Sequence, residues 1–227
     1  MIAYLSGAME QAADEGALWR EEMTRWLKTE LNHDVIDPVV SSQSLVEKYQ
    51  AQDYRDWKLS DPERFMKFVR KAIDLDLDNV INKSDYVICL WNRDVLKGGG
   101  THGEVTMAYH KNIPVYLINQ VPIEELSGWI MSCSTQIFNN IFELKSFLLE
   151  TQTVLFLTIF NYIILIVTSA EYIFWPILNQ YVGPGFQVSL SLLFLTIIFR
   201  MILDIADSAP KEENGPNFRQ WLAGRKK

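Results

Sequence analysis

Charge is almost absent from one long stretch of this 227-residue chain: Glu171 is the only Asp, Glu, Lys or Arg between positions 151 and 199. Soluble domains are about one quarter charged and do not ordinarily carry such a stretch, which argues against a purely soluble protein. Basic residues are in the minority overall. The chain has 21 Lys and Arg against 28 Asp and Glu, a net charge of −7, which excludes the positive footprint of a nucleic-acid polymer binder. Cysteine is scarce too. Cys89 and Cys133 are the only two, and neither belongs to a CxxC pair. That excludes a disulfide framework and a thiolate zinc site, and both read as reduced thiols in a cytosolic compartment. His102 and His110 share no cluster with Cys or carboxylates, so neither a metal nor another cofactor is expected. The opening MIAYLSGAMEQ has neither the basic start nor the long apolar core of a secretory signal, and the first part of the chain is expected to stay in the cytoplasm. Internal repeats and low-complexity segments are missing.

What is present divides unequally. Residues 1–150 hold 15 Lys and Arg and 23 Asp and Glu, a net charge of −8; residues 151–227 hold 6 and 5, a net charge of +1. The first part alternates strand and helix patterns. Residues 1–5 form a short apolar run before Ser6-Gly7. Leu18, Trp19, Met23, Trp26, Leu27 and Leu31 recur at helical spacing within 14–31. Val35-Ile36 is a short strand stopped by Asp37-Pro38, and 41–60 is an irregular or helical insertion. Asp61-Pro62-Glu63 starts a helix, with Asp as the cap and Pro in the first turn; it reaches about Ile81. Residues 85–91 (DYVICLW) are near-continuously apolar, as befits a central parallel strand covered on both faces. A loop from Asn92 to Gly100, a helix over 101–111, a buried strand over 114–118 and a short strand over 136–138 follow. This order predicts an α/β fold with a doubly wound, largely parallel, flavodoxin-like sheet.

Neither Pro nor Gly occurs from Asn140 to Trp175. Ile141, Leu144, Leu148 and Leu149 look like the apolar face of the domain's last helix, which is expected to continue without a linker into a membrane span. Thr151–Ala170 is 20 residues without a charge, the length that crosses a hydrocarbon core of roughly 30 Å. Pro176 and Gly183-Pro184-Gly185 break the run, and 186–206 resumes it. Two spans, 152–178 and 186–206, make a transmembrane hairpin within a segment 151–207. The connection 175–187 has no Lys or Arg, whereas the tail 208–227 has Lys211, Arg219, Arg225, Lys226 and Lys227. Positive charge marks the cytoplasmic side, so tail and N-terminal domain are expected there together. A very hydrophobic hairpin buried in an oligomer is the competing reading. Glu171, Arg200 and Asp204 are the charges to explain; they face one another inside a bundle, or Arg200 and Asp204 snorkel at the boundary.

The strongest local signal is Gly98-Gly99-Gly100-Thr101-His102-Gly103-Glu104, directly after the central strand. Open α/β sheets bind ligands at the carboxyl ends of strands, and a helix N-terminus offers free N–H groups and a positive dipole. The same letters also spell a capping box, Thr101-x-x-Glu104, in which the Glu would merely satisfy an N–H. No Lys-Ser/Thr pair follows, so this is not a GxxxxGK[ST] phosphate loop. Asp74-x-Asp76-x-Asp78 lacks the Gly and Glu of a calcium loop and on a helix would fan over different faces. Gly7, Asn92, Gly98, Gly100 and Thr101 are the candidate substrate contacts.

Together these positions resemble the nucleoside 2-deoxyribosyltransferase family and its relatives, the deoxynucleotide N-glycosidases. The resemblance covers about residues 2–118 and rests on Tyr4-Leu5-Ser6-Gly7, on Asp76 shortly before Ser84-Asp85-Tyr86-Val87, and on Gly100-Thr101-His102-Gly103-Glu104-Val105 followed by Ala108 and Ile113-Pro114-Val115. It implies that Glu104 attacks C1′ of the sugar, that Asp76 contacts the nucleobase and handles its proton, and that Tyr4 hydrogen-bonds Glu104. Breaking an N-glycosidic bond builds positive charge on the sugar, which a nearby carboxylate stabilises and can trap covalently. A second carboxyl group with a raised pKa protonates the departing base. Two departures stand out. Transferases of the family carry an aspartate where this chain has Gly98, and a neighbour's C-terminal Asn or Asp completes their site, for which Asn119 is the only nearby candidate. Thr101 is placed to meet a 5′ group instead, and Tyr49, Tyr54 and Trp57 of the insertion to stack on a base. The expected activity is a membrane-anchored N-glycosidic bond enzyme, transferase or hydrolase, acting on a nucleoside or nucleotide, self-associating and bound to a lipid bilayer. The alternatives are an NAD- or nucleotide-depleting membrane effector and a non-catalytic nucleotide sensor acting through its hairpin.

Overall fold

A computed structural model describes residues 1–178 apart from Gln11 and Ala13, with side chains through Leu165. The span at 186–206, the basic tail, Arg200 and Asp204 lie outside the described residues, as does the side chain of Glu171. The chain divides after Gln152, and Met1–Gln152 is a compact unit of its own.

That unit is built on five parallel strands: β1 (Ile2–Gly7), β2 (Asp34–Ile36), β3 (Tyr86–Trp91), β4 (Val115–Asn119) and β5 (Gln136–Phe138), in the spatial order β2-β1-β3-β4-β5. The register sets Ser6 opposite Cys89 and Leu90 opposite Ile118. All six residues of β3 are buried, which explains its unbroken apolar character: both of its faces are covered. On one face lie Met23 and Leu27 of α1 (Ala17–Glu30) and Leu144 and Leu148 of the last helix. On the other lie Val80, Val105, Ala108, Ile130 and Cys133. These come from the turn after α4 (Pro62–Asp78), from α5 (Gly100–His110) and from α6 (Gly128–Cys133). The arrangement is the flavodoxin-like α/β architecture, with an all-parallel sheet.

Several boundaries differ from expectation for local reasons. Asp37-Pro38 ends β2 and at once begins a second helix, α2 (Pro38–Tyr49); Asp37 accepts from the Val39 N–H at 2.8 Å, and Pro38 takes the first turn, where its missing N–H costs nothing. Residues 41–60 are therefore largely helical. α2 and the short α3 (Trp57–Ser60) gather around Phe68 of α4 in an aromatic annex with Ala51, Tyr54 and Phe65. Asp61 caps α4 through the Arg64 N–H at 3.0 Å, as its Asp-Pro-Glu start predicts. α4 ends at Asp78 and passes into a single π-turn, Asn79–Lys83. α1 starts later than its periodicity suggests, because Asp14 accepts from the N–H groups of Gly16 and Leu18 and the chain turns through positive φ at Glu15 and Gly16.

The last helix, α7, runs Ile141–Leu178. Within it Ile141–Leu165 is long and apolar enough to cross a membrane. Leu144 and Leu148 are buried, whereas Val154, Leu155, Leu157, Ile159 and Tyr162 are all more than half exposed. Helices that are apolar all round need an apolar environment.

Candidate functional site

Strand order reverses between β1 and β3, and the crevice at the carboxyl ends of such strands is where open α/β sheets hold ligands. Here a cleft opens, lined by Gly7, Glu10, Asp76, Asp94, the Gly98–Gly100 loop, Thr101 and Glu104. Alternation along β1 sends Tyr4 and Ser6 to the same face. Both are fully buried, and both reach Glu104 one turn into α5. Tyr4 Oη donates to Glu104 Oε1 at 3.0 Å. Ser6 Oγ donates to the other oxygen, Oε2.

The capping-box alternative does not hold. α5 begins at Gly100 with Gly99 in the cap position and no side-chain cap bond. Thr101 therefore sits two residues past the cap position, and both Glu104 oxygens are bonded by hydroxyls of β1, about a hundred residues away in sequence.

Electrostatics separate the two carboxyl groups. Burial pushes the Glu104 carboxyl up, while bonds from Ser6 and Tyr4 and the charge of Arg20 pull it back. Asp76, reaching the cleft from α4, is pushed up to about 7, first by burial and then by the charge of Glu104, with Arg20 opposing. Its Oδ1 is buried without a hydrogen-bond partner in the protein. Unpartnered buried polar atoms are rare and are commonest where a ligand or proton is handled. Burial, then Glu104 and Asp76, hold the Tyr4 hydroxyl well above its usual range, so it stays a donor.

Arg20 is the residue that sequence reading missed. It lies on the same face of α1 as Met23 and Leu27, and it is fully buried. Its guanidinium donates to the carbonyls of Leu5, Gly7, Ala8, Glu15 and Gly16 at 2.9–3.3 Å. It ties down the turn after β1 and places a permanent positive charge behind two carboxyl groups. Ser6 stood only as a letter of the opening motif, with no role of its own. Its partner is remote in sequence, and no local pattern joins them.

Of the expected substrate contacts, Gly7, Gly98, Gly100 and Thr101 line the cleft. Asn92 does not; its Oδ1 accepts from the N–H groups of Asp94 and Val95 and shapes the loop from below. The three loop glycines are about room. Gly98 and Gly99 have negative φ, at −118° and −104°, and a Cβ built on Gly98, Gly99 or Gly100 would meet nothing within 4 Å. Asp74, Asp76 and Asp78 diverge around α4: Asp78 pairs with Lys83 at 2.7 Å, and Asp76 alone reaches the cleft. Asn119 turns back on its own strand end, bonding Val121 O at 2.8 Å.

A second cleft shares Met9, Glu10 and Asp76 with the first and is walled by Tyr54, Phe65, Phe68 and Val69, with Arg55 at its edge. Tyr54 and Phe65 are stacked nearly parallel at 6.5 Å. Trp57, expected to be available for stacking, is not: it is buried edge-on against Phe68 and covered by the Arg64 guanidinium at 3.5 Å. Tyr49 also packs edge-on against Phe68. Tyr54 alone of the three lines this cleft. No protein-family model matches this chain, and no curated protein sequence matches it.

Proposed function

We propose that the α/β unit cleaves the N-glycosidic bond of a nucleoside or nucleotide, with Glu104 as nucleophile and Asp76 as general acid. One observation carries the reading: a buried carboxylate held by two hydroxyls shares a cleft with a second carboxyl group that keeps its proton to about pH 7. Two carboxyl groups with divergent environments are the recurring device of glycoside chemistry.

In the first step a Glu104 oxygen bonds to C1′, the C1′–N bond breaks with its electron pair going to the base, and Asp76 gives the base its proton. In the second, water or the nitrogen of another base attacks C1′, the glutamyl ester bond breaks, and Asp76 takes the proton that the attacker releases. Tyr4 aligns the nucleophile and stabilises its charge before attack. The sugar sits by Gly7, Gly98, Gly100 and Thr101. The base lies in the adjoining aromatic cleft, against Tyr54 and Phe65 and within reach of Asp76. The backbone N–H groups that open α5 have no intrahelical acceptors and favour a 5′ hydroxyl or phosphate.

The same reading holds the unit at a membrane through a hairpin of 152–178 and 186–206, with the unit and the tail on the cytoplasmic side and further copies of the chain as neighbours. The exposed apolar surface of α7, the absence of Lys and Arg from 175–187 and the basic tail support it.

Incubation of the purified protein with deoxynucleosides, deoxynucleotides and NAD, followed by chromatography of the products, tests the activity. Release or exchange of free base from any of them, lost in Glu104→Gln, is the expected result. Binding without turnover of any of the three would replace the enzyme by a nucleotide sensor.

A further inference from the structure

Glu104 is gripped at both oxygens, and only one grip was legible in the sequence. Ser6 is fully buried, two residues beyond Tyr4 on the same face of β1. Its hydroxyl meets Glu104 Oε2 while Tyr4 holds Oε1. Directly across the sheet in the β1–β3 register stands Cys89, also fully buried. Burial keeps that thiol protonated. A hydroxyl carries one proton. That proton goes to Glu104 Oε2.

We propose that Ser6 is a positioning residue that holds Glu104 ionised and fixes the plane of its carboxylate for attack. The role rests on the nucleophile assignment above for its kinetic consequence, but not for its effect on ionisation. The groups facing Glu104 are Tyr4 and Ser6 from β1, Arg20 from α1, Asp76 from α4 and Cys89 from β3. Arg20 is committed to five carbonyls of the β1 turn and the start of α1, and Asp76 carries its own proton to about pH 7. Tyr4 and Ser6 are thus the only groups hydrogen-bonded to the Glu104 carboxylate among the described residues, and the Ser6 bond is the larger of the two influences favouring its charged form.

The test is a titration of Glu104 in the full chain in detergent. Infrared difference spectra, with Glu104→Gln as the blank, follow its carboxylate band in the native protein, in Ser6→Ala and in Ser6→Thr. The expected result is a Glu104 midpoint about one pH unit higher in Ser6→Ala and within a few tenths of native in Ser6→Thr, which retains the hydroxyl. On any processed substrate, Ser6→Ala lowers kcat about ten- to a hundredfold, the loss expected for a hydrogen bond to a charged group. KM stays within about threefold, and the acid limb of the pH profile moves up with the infrared midpoint. An unmoved midpoint in Ser6→Ala would overturn the proposal; should the larger Thr not fit, the Ala variant decides alone. Native protein without turnover on any substrate would overturn the N-glycosidic reading instead, and the titration would still decide the role of Ser6.

Discussion

Glu104 and Asp76 face one cleft from different elements, and their substitutions should separate cleanly. Glu104→Gln keeps the acceptor shape for Tyr4 and Ser6 and should fold normally while losing at least about a thousandfold in turnover. Glu104→Ala should be as inactive and also less stable by about 1–3 kcal/mol, because it strands two buried hydroxyls. Tyr4→Phe should be milder, since Ser6 still holds one oxygen. Asp76 sets the alkaline limb. As a general acid it must be protonated, so turnover should fall as pH rises through about 7, and Asp76→Asn should remove that limb and slow poor leaving groups most. The same proton affects folding. An unfolded aspartate titrates near 3.9, so the stability contributed by the bound proton is full below about pH 4 and lost as pH rises through about 7. Asp76→Asn never charges, and residues 1–152 carrying it should melt higher than native at pH 8, by about 1–4 kcal/mol, with the difference closing at pH 4. Thermal melts at the two pH values check this.

At the scale of elements, two kinds of glycine give opposite expectations. Gly99→Ala should leave stability within about 0.5 kcal/mol, since its Cβ meets open space, yet it should raise KM by narrowing the cleft. Gly16→Ala should cost more than about 2 kcal/mol, because φ is +72° and the new Cβ would lie 2.2 Å from an Arg20 nitrogen and 2.6 Å from the Ala8 carbonyl. Denaturant melts paired with kinetics distinguish them. The β1, β3 and β4 strands, the Asp61-Pro62 cap and the Gly98–Glu104 turn were legible because each is a local pattern of burial or turn chemistry. α2 was not, because its Leu45 and Val46 pack into a side cluster around Phe68 rather than onto the sheet, which blurs the usual one-faced period. Nor were Ser6 and Arg20. A hydroxyl in a strand and a cation on a helix look like surface chemistry until α5 folds over the first and the turn after β1 over the second. The capping box was misleading for the same reason: the motif fixes spacing, and the tertiary partner decides where the Glu points.

For the whole molecule, fractionation provides the check on the apolar segment. The full chain should stay with membranes after an alkaline wash, and a chain ending after Gln152 should be soluble, because Met1–Gln152 retains all five strands of the sheet and both covering layers. Recovery of the full chain in the supernatant would remove the membrane assignment. Proteins confined to a bilayer face are concentrated in two dimensions, where any open sheet margin can recruit a strand from a neighbour. This sheet leaves little to recruit. Its outermost strands, β2 and β5, are three residues each, and β2 begins on a charged Asp34, so the exposed ladder is too short to template growth. Crowding at a membrane should therefore drive these units into side-chain-mediated assemblies rather than fibrils.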